Sequence, residues 1–314
     1  LPEYRGTFGS RIGHRNNDNR EQGLMKGTII KGLGGLYTVS DGKTTVEVKA
    51  KGTFRKEKAV PTVGDFVEVS DGMIVEIFPR KNLLIRPPVA NIDKLFVVSS
   101  LKDPAPDFVY IDKMTVIAAR FGITPVLVFT KNDLATGDEV SEIYAKTPYK
   151  VIFTSTDREE CAEALLDEIK GSVSAFAGFS GVGKSSLLNM AAKIAGAEVK
   201  SSVGDVSKKL RRGKHTTRHV EFFSVNGGFI ADTPGFGNLE LSFFGIKNRN
   251  ELADFFPEFS EFTENCRFTD CNHIKTKDCA VIKALEEGRI SRSRYESYKT
   301  LYENMGEYKF WEDK

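Results

Sequence analysis

No apolar run in the chain approaches the roughly 18 residues that a membrane-spanning helix needs, and no secretory pattern opens it. The expectation is a cytoplasmic, monomeric protein with no membrane partner. Net charge is nearly absent: 45 Lys and Arg against 43 Asp and Glu leave +2. No global field therefore draws in a polyanion, and a nucleic-acid partner has to be met by local basic patches. Cysteine is scarce as well. Four in 314 residues, three of them within fourteen residues, point to a metal site in a reducing compartment more than to a disulfide scaffold. What remains, 40% hydrophobic and 28% charged, is the balance of a globular protein long enough for two or three domains.

Residues 1–23 are polar, rich in Arg, Asn and Gly, and carry neither helical nor strand periodicity. They are expected to form a disordered leader, in part an expression-derived extension, with the patterned chain beginning near Met25. From there to about Arg86 run five short β segments, beginning near Gly27, Leu36, Thr44, Asp65 and Met73, with Asp41-Gly42 and Asp71-Gly72 as hairpin-turn dipeptides. They predict a small β-barrel over residues 24–88, with an OB-fold as the leading arrangement. Lys49, Lys51, Arg55, Lys56 and Lys58 would lie in a loop able to touch a phosphate backbone. A solvated loop on an SH3-like barrel accounts for them equally well.

After Pro87-Pro88 the pattern changes to alternating strands and helices, the signature of a mostly parallel sheet, over residues 89–245. Strands are predicted at Lys94–Val98, Pro125–Phe129, Lys150–Thr154 and Ser172–Ala177, with helices at Phe108–Phe121 and Glu159–Ile169. The last of these strands leads into Gly178-Phe179-Ser180-Gly181-Val182-Gly183-Lys184-Ser185, followed by Ser186 and an apolar helical run. This fits G-x-x-x-x-G-K-[ST]. The glycines let successive N–H groups turn toward phosphate oxygens, the lysine reaches the terminal phosphates, the serine hydroxyl holds Mg²⁺, and the helix N-terminus adds partial positive charge. The reading is a nucleoside triphosphate site with bound magnesium.

The strand ending at Phe129 runs into Thr130-Lys131-Asn132-Asp133, and in an open α/β sheet ligands sit at the carboxyl ends of strands. A carboxylate at Asp133 can accept from guanine N1–H and the exocyclic amine, a donor pair that adenine lacks. Mismatch would leave buried acceptors unpaired at about 1 to 3 kcal/mol each. Lys131 would lie along base and ribose, and the Ser155 segment would offer a backbone N–H to guanine O6. The site should choose GTP.

Beyond the phosphate loop, Ser201 to His219 is rich in Lys and Arg and poor in apolar residues, as in a segment that nucleotide can order. Thr216 and Thr217 are candidates to ligate magnesium and sense the γ-phosphate. Two strands joined at Asn226-Gly227 end at Asp232-Thr-Pro-Gly235, where Asp232 can bind magnesium through water and the Gly235 amide can contact the γ-phosphate. No glutamine follows: Phe236 stands where a water-orienting residue would be. His215 is the nearest side chain able to hydrogen-bond that water near neutral pH, although an RNA-contacting or solvated histidine fits equally. The catalytic candidates are therefore His215, Thr217 and Lys184.

Cys266, Cys271, His273 and Cys279 supply three thiolates and one imidazole within fourteen residues, a closed tetrahedral set for one structural Zn²⁺. Cys161 lies far from them. A helical region follows with Arg289, Arg292, Arg294 and Lys299 among Tyr295, Tyr298 and Tyr302. Basic and aromatic residues suit RNA contact. They suit a helix packed on its own domain equally well.

In chain order, T-K-N-D, the Ser155 segment, the phosphate loop, the threonine pair and D-T-P-G resemble the five motifs of Ras-type GTPases, but rotated, with the base-reading pair first. With a barrel before them and a zinc motif after, the chain from about Met25 to its end is similar to the circularly permuted GTPases that assist small ribosomal subunit assembly, the RsgA (YjeQ) family. Thr130 stands where many GTPases carry Asn, a substitution that itself resembles this family. The resemblance implies hydrolysis of GTP to GDP and phosphate, stimulated by the small subunit, contact with its rRNA, and a role in late subunit maturation. The cut after D-T-P-G also sends the γ-phosphate-sensing segment directly into the C-terminal domain, residues 246–314. Two other readings compete. A phosphate-loop kinase or ATPase is disfavoured by T-K-N-D, and an RNA-binding protein with a regulatory guanine-nucleotide pocket and negligible turnover stays open.

Overall fold

The computed structural model describes residues 24–52, 54, 60–85, 87–155, 160–194, 220–232 and 240–306, with the backbone alone at 160–162, 192, 194 and 232. The expected leader, the segment bearing His215, Thr216 and Thr217, and Gly235 and Phe236 all lie outside the described residues.

Strands β1 (Met25–Leu33), β2 (Leu36–Ser40), β3 (Thr45–Ala50), β4 (Phe66–Ser70) and β5 (Met73–Ile77) form the first unit. Alternation drives them: Ile29, Val48, Val67, Val69 and Ile74 are buried while their neighbours are more exposed, and Val39 is buried at the end of β2 beside Ser40. Asp71 and Gly72 both have positive φ, 51° and 71°, as the tight turn between β4 and β5 requires. The circuit runs β1-β2-β3-β5-β4 and closes on β1. β3 and β5 are parallel, whereas a plain meander would be antiparallel throughout, so this wiring is that of an OB-fold.

β1 serves two partners along one edge. Met25–Thr28 pair with β4, a β-bulge falls between Ile29 and Lys31, and Lys31 then pairs with Glu221 of β12 (Glu221–Val225). A bulge bends its strand, so the far half of β1, still paired with β2, turns its other edge to the next sheet. Barrel and sheet make one continuous run of eleven strands. A short hairpin, β6 (Leu83–Ile85) with β7 (Pro88–Ala90), links the two units in the chain.

The second sheet has the order β10-β9-β8-β11-β13-β12, with β8 (Lys94–Ser100), β9 (Thr124–Thr130), β10 (Lys150–Phe153), β11 (Val173–Ala177) and β13 (Gly228–Asp232). All but β12 are parallel. Residue parity separates its two faces. Leu95, Val97, Leu127, Phe129, Ala175 and Ala177 join the core under helices α1 (Phe108–Arg120) and α2 (Asp138–Tyr144). Phe96, Val98, Val126, Val128 and Phe176 face α3 (Glu160–Ile169) and α4 (Lys184–Ile194). Asn226 and Gly227, with φ 49° and 72°, turn β12 into β13.

The C-terminal part is three 3₁₀ turns, Leu241–Phe244, Arg249–Phe255 and Pro257–Phe259, then α5 (Ser260–Thr263), α6 (Ala280–Glu286) and α7 (Arg292–Asn304). Tyr298 meets Phe256 and Phe259 edge-on at centroid distances of 5.3 and 5.1 Å. Arg294, wholly buried, donates to Asp112 of α1 at 2.6 Å and to Glu258 at 2.6 and 3.1 Å. Arg294 and the three tyrosines of α7, candidates for RNA contact from sequence, are thus packing residues, while Arg289 and Arg292 remain exposed. Among the described residues no helix is long and apolar enough to cross a membrane.

Candidate functional site

Three strand ends converge at the carboxyl edge of the parallel sheet: β8, β9 and β11. Thr130, buried at the end of β9, ties them together. Its hydroxyl donates to the Val182 carbonyl of the phosphate loop at 2.6 Å, with the Ser99 carbonyl of β8 as a weaker acceptor at 3.2 Å. The residue standing in the usual Asn position thus joins base-reading and phosphate-holding segments directly, by a hydroxyl instead of an amide.

The loop after β11 is built on glycine at particular points. Gly178 has φ +151°, and a Cβ there would lie 2.2 Å from the Val98 carbonyl, so the loop rests against β8 with no space for a side chain. Gly181 and Gly183 take φ 84° and 91°, conformations that turn successive amides inward. α4 then starts at Lys184, and Leu187 N–H donates to Gly183 at 2.9 Å, so the helix N-terminus faces the loop. Lys184 Nζ donates to the carbonyls of Gly178 and Phe179 at 2.7 and 2.5 Å, which spans the loop with a positive charge. Ser185 and Ser186 are exposed in the first turn of α4.

At the other end of the crevice Lys131 adopts φ 61°, which swings the chain after β9, and its Nζ donates to the Asp103 carbonyl. Asn132 N–H donates to Thr154 at 3.1 Å, and the buried Ser155 donates through Oγ to Asp133 Oδ1 at 2.8 Å. The carboxylate is therefore oriented by Ser155 while Asp133 stays exposed to a ligand. This side-chain contact of Ser155 was not foreseen from sequence, which assigned it a backbone role only. Asp232 ends β13, next to β11, with only its backbone described.

One contact and one cavity escaped the sequence. Tyr110 of α1 packs its ring on Phe179, with centroids 4.1 Å apart. A cavity of about 510 Å³ beside it is lined by Tyr110, Lys113, Glu240, Ser242, Leu301 and Met305, among others, between α1, the chain after β13 and the end of α7. An aromatic at the second position of a phosphate loop was the one available signal for such a partner.

A second cluster lies in the C-terminal part. The ligand atoms of Cys266, Cys271, His273 and Cys279 all fall within 4.8 Å of one another. Cys266 Sγ is 3.9 Å from Cys279 Sγ, and His273 Nδ1 is 3.5 Å from each. Thiolates about 2.3 Å from a tetrahedral ion would stand about 3.8 Å apart, so this donor set could hold one metal ion. Burial pushes the Cys279 thiol up to about 12 and the His273 imidazole down, so without a cation the thiolate is disfavoured and the imidazole is neutral. His273 sits at φ 58°, and its carbonyl accepts from Tyr295 at 2.8 Å, while the Asn272 carbonyl accepts from Tyr298 at 2.8 Å. The tyrosines of α7 thus hold the ligand loop.

Comparison with known proteins agrees with this geometry. The RsgA GTPase family model matches residues 77–242, and the RsgA N-terminal domain model matches residues 26–73. The chain is 42% identical over 292 residues to the small ribosomal subunit biogenesis GTPase RsgA of Caldanaerobacter subterraneus subsp. tengcongensis, covering 90% of this chain and 96% of that protein. Identity to the protein of the same name from Alkaliphilus metalliredigens is 42% over 286 residues, covering 88% and 96%. The crystal structure of YjeQ from Thermotoga maritima is similar at a TM-score of 0.74 and 33% identity, covering 90% of this chain and 99% of that one. YloQ, a circularly permuted GTPase, superposes at 0.75 with 31% identity, covering 93% and 98%.

Proposed function

Because this chain belongs to the RsgA GTPase family, we propose that it binds the small ribosomal subunit, assists its late maturation, and hydrolyses GTP to GDP and phosphate with turnover that the subunit stimulates. The observation that carries the reading is the hydroxyl of Thr130 on the Val182 carbonyl, which makes one crevice of a guanine-reading carboxylate, Asp133, and a phosphate loop. Its relatives' shared name supplies the subunit.

In this reading residues 24–88 are a barrel that meets rRNA, 89–245 the permuted GTPase domain, and 246–314 a domain held by structural zinc on Cys266, Cys271, His273 and Cys279. Lys131, Asn132, Asp133 and Ser155 receive the base. Gly178 to Ser186 receive the phosphates, with Lys184 on the terminal ones, and Gly235 contacts the γ-phosphate. Ser185 and Thr217 would hold magnesium, with Asp232 reaching it through water. The donors are all oxygens, as that ion prefers, and the ion when bound neutralises charge between the β- and γ-phosphates. His215 positions the water in the absence of a glutamine. The protein acts as a cytoplasmic monomer.

The test is phosphate release from GTP with and without purified small subunits, with ATP as control. Stimulation of at least about tenfold, or roughly 1.4 kcal/mol of barrier, that shrinks with added salt supports the reading. Equal turnover with and without subunits favours instead an RNA-binding protein with a regulatory nucleotide pocket. Asp133→Asn should weaken GTP and improve xanthosine triphosphate, and His215→Ala should lose most of the stimulated rate while keeping GTP affinity.

A further inference from the structure

Gly178 and Phe179, whose carbonyls hold the Lys184 ammonium at 2.7 and 2.5 Å, are also the two loop residues touched by Tyr110. We infer that Tyr110 is a positioning residue for the phosphate loop, setting the place of Lys184 through Phe179. The inference rests on residues 178–185 being the triphosphate site.

Tyr110 is 5% exposed and lies in the first turn of α1. That turn is pinned by the Asp107 cap, whose carboxylate accepts from Tyr110 N–H at 2.9 Å. The Tyr110 and Phe179 rings are inclined by 35°, and the phenol oxygen receives a backbone hydrogen bond from Gly178. Burial raises the phenol to about 12, so it stays a neutral hydroxyl at working pH and the contact does not depend on titration.

The helix behind Tyr110 is fixed in turn. Asp112, two residues on and about 200° around the helix, accepts from Arg294 at 2.6 Å and from Tyr144 at 2.8 Å. α1 is thus clamped on one face by the C-terminal domain and presents Tyr110 to the loop from another. Because Tyr110 also borders the cavity beside α1, a smaller side chain leaves space into which Phe179 can sink. The Phe179 carbonyl moves with its ring, and Lys184 loses an anchor while the base-reading end is untouched.

The test compares GTP, GDP and GMP affinities by competition with a fluorescent guanine nucleotide. GMP uses the base site but has no β- or γ-phosphate for Lys184. Tyr110→Leu should weaken GTP and GDP about tenfold and GMP less than about twofold. Tyr110→Phe, which keeps the ring and loses the hydroxyl, should weaken GTP about threefold. Phe179→Leu should match Tyr110→Leu, and the double variant should lose no more than either single one, since both break the same contact. Equal losses for GTP and GMP, unchanged GTP affinity, or additive losses overturn the inference. If Tyr110→Leu does not fold, the cycle of Tyr110→Phe with Phe179→Leu decides. Lys184→Ala separates the two levels: unchanged GTP affinity in that variant refutes the triphosphate site itself, whereas a loss there with intact affinity in Tyr110→Leu refutes only the role of Tyr110.

Discussion

At the barrel side of the GTPase sheet, β1 meets β12 through one backbone register, Lys31 opposite Glu221, and an ion pair of 3.3 Å whose side chains are 45% and 28% exposed. At the helical side, α7 meets α1 through Arg294 and Asp112, both without exposure, with Glu258 and the rings of Tyr144, Tyr149 and Phe256 around the guanidinium. The first junction can be pulled apart at little cost, because both charges regain water and each strand end keeps a partner on its other side. The second is costlier to open, because separation would also expose the buried rings packed around the pair, Tyr144, Phe256 and Tyr298 among them. The difference matters for the nucleotide. The loose junction sits on the strand that follows residues 201–219, where His215 and Thr217 belong, and the tight one holds the helix under the phosphate loop.

The strongest break of this contrast is removal of the metal proposed for the cysteine–histidine cluster. Structural zinc supplies on the order of 10 kcal/mol to small domains, and Tyr295 and Tyr298 hold the ligand loop. Chelation should therefore unfold residues 246–314, read by near-ultraviolet dichroism of the tyrosines, while nucleotide affinity stays within about threefold because α1 also packs on the sheet. Metal analysis of reduced protein without zinc would refute the premise.

Arg294→Ala comes next, with an expected loss of about 3 to 5 kcal/mol in urea unfolding, because Asp112 and Glu258 would remain buried without their cation. Arg294→Met combined with Asp112→Asn and Glu258→Gln should recover most of that loss. A small effect of Arg294→Ala alone would show the tight junction to be no tighter than the loose one.

The smallest effect is expected at the barrel. Lys31→Glu should cost no more than about 1 kcal/mol, and adding Glu221→Lys should restore it. Amide exchange should quicken at the Lys31 end of β1 and stay slow at Met25–Thr28, which pair with β4. Equal quickening along the whole strand would mean that β1 does not divide its partners at the bulge.

Much of the GTPase sheet was readable because its information is local. Val126 to Phe129 is a continuous apolar run ending in a polar tetrapeptide, and Asn226-Gly227 demands positive φ, so strand, turn and ligand edge follow from neighbours. The four metal-site residues were legible for the same reason. The OB-fold, the leading arrangement for the five short segments, is borne out by the parallel β3–β5 pair, although that pair is a long-range fact the alternating segments do not themselves encode. Helix α2 was missed because Asp138–Tyr144 is too short to show a period, and β6 and β7 because three residues each carry none. Arg294 was left undecided between RNA contact and packing for a sharper reason. In Arg292-Ser-Arg294-Tyr295 nothing distinguishes the exposed arginine from the buried one, whose acidic partner stands 182 residues earlier.

The division of β1 between two partners also has a history in the order of synthesis. By the time Ile77 has been made, β1 to β5 are all present and the barrel can close. Glu221 follows Ile77 by 144 residues, and at ribosomal speeds that interval lasts about 7 to 30 s. Through it the far half of β1, beyond the bulge, stands as an unpaired edge on a finished barrel, the kind of template that recruits a strand from another chain. Lys31 lies at that edge, where a charge deters such pairing. An ion pair that adds little to the completed protein thus begins as a guard on the unfinished one.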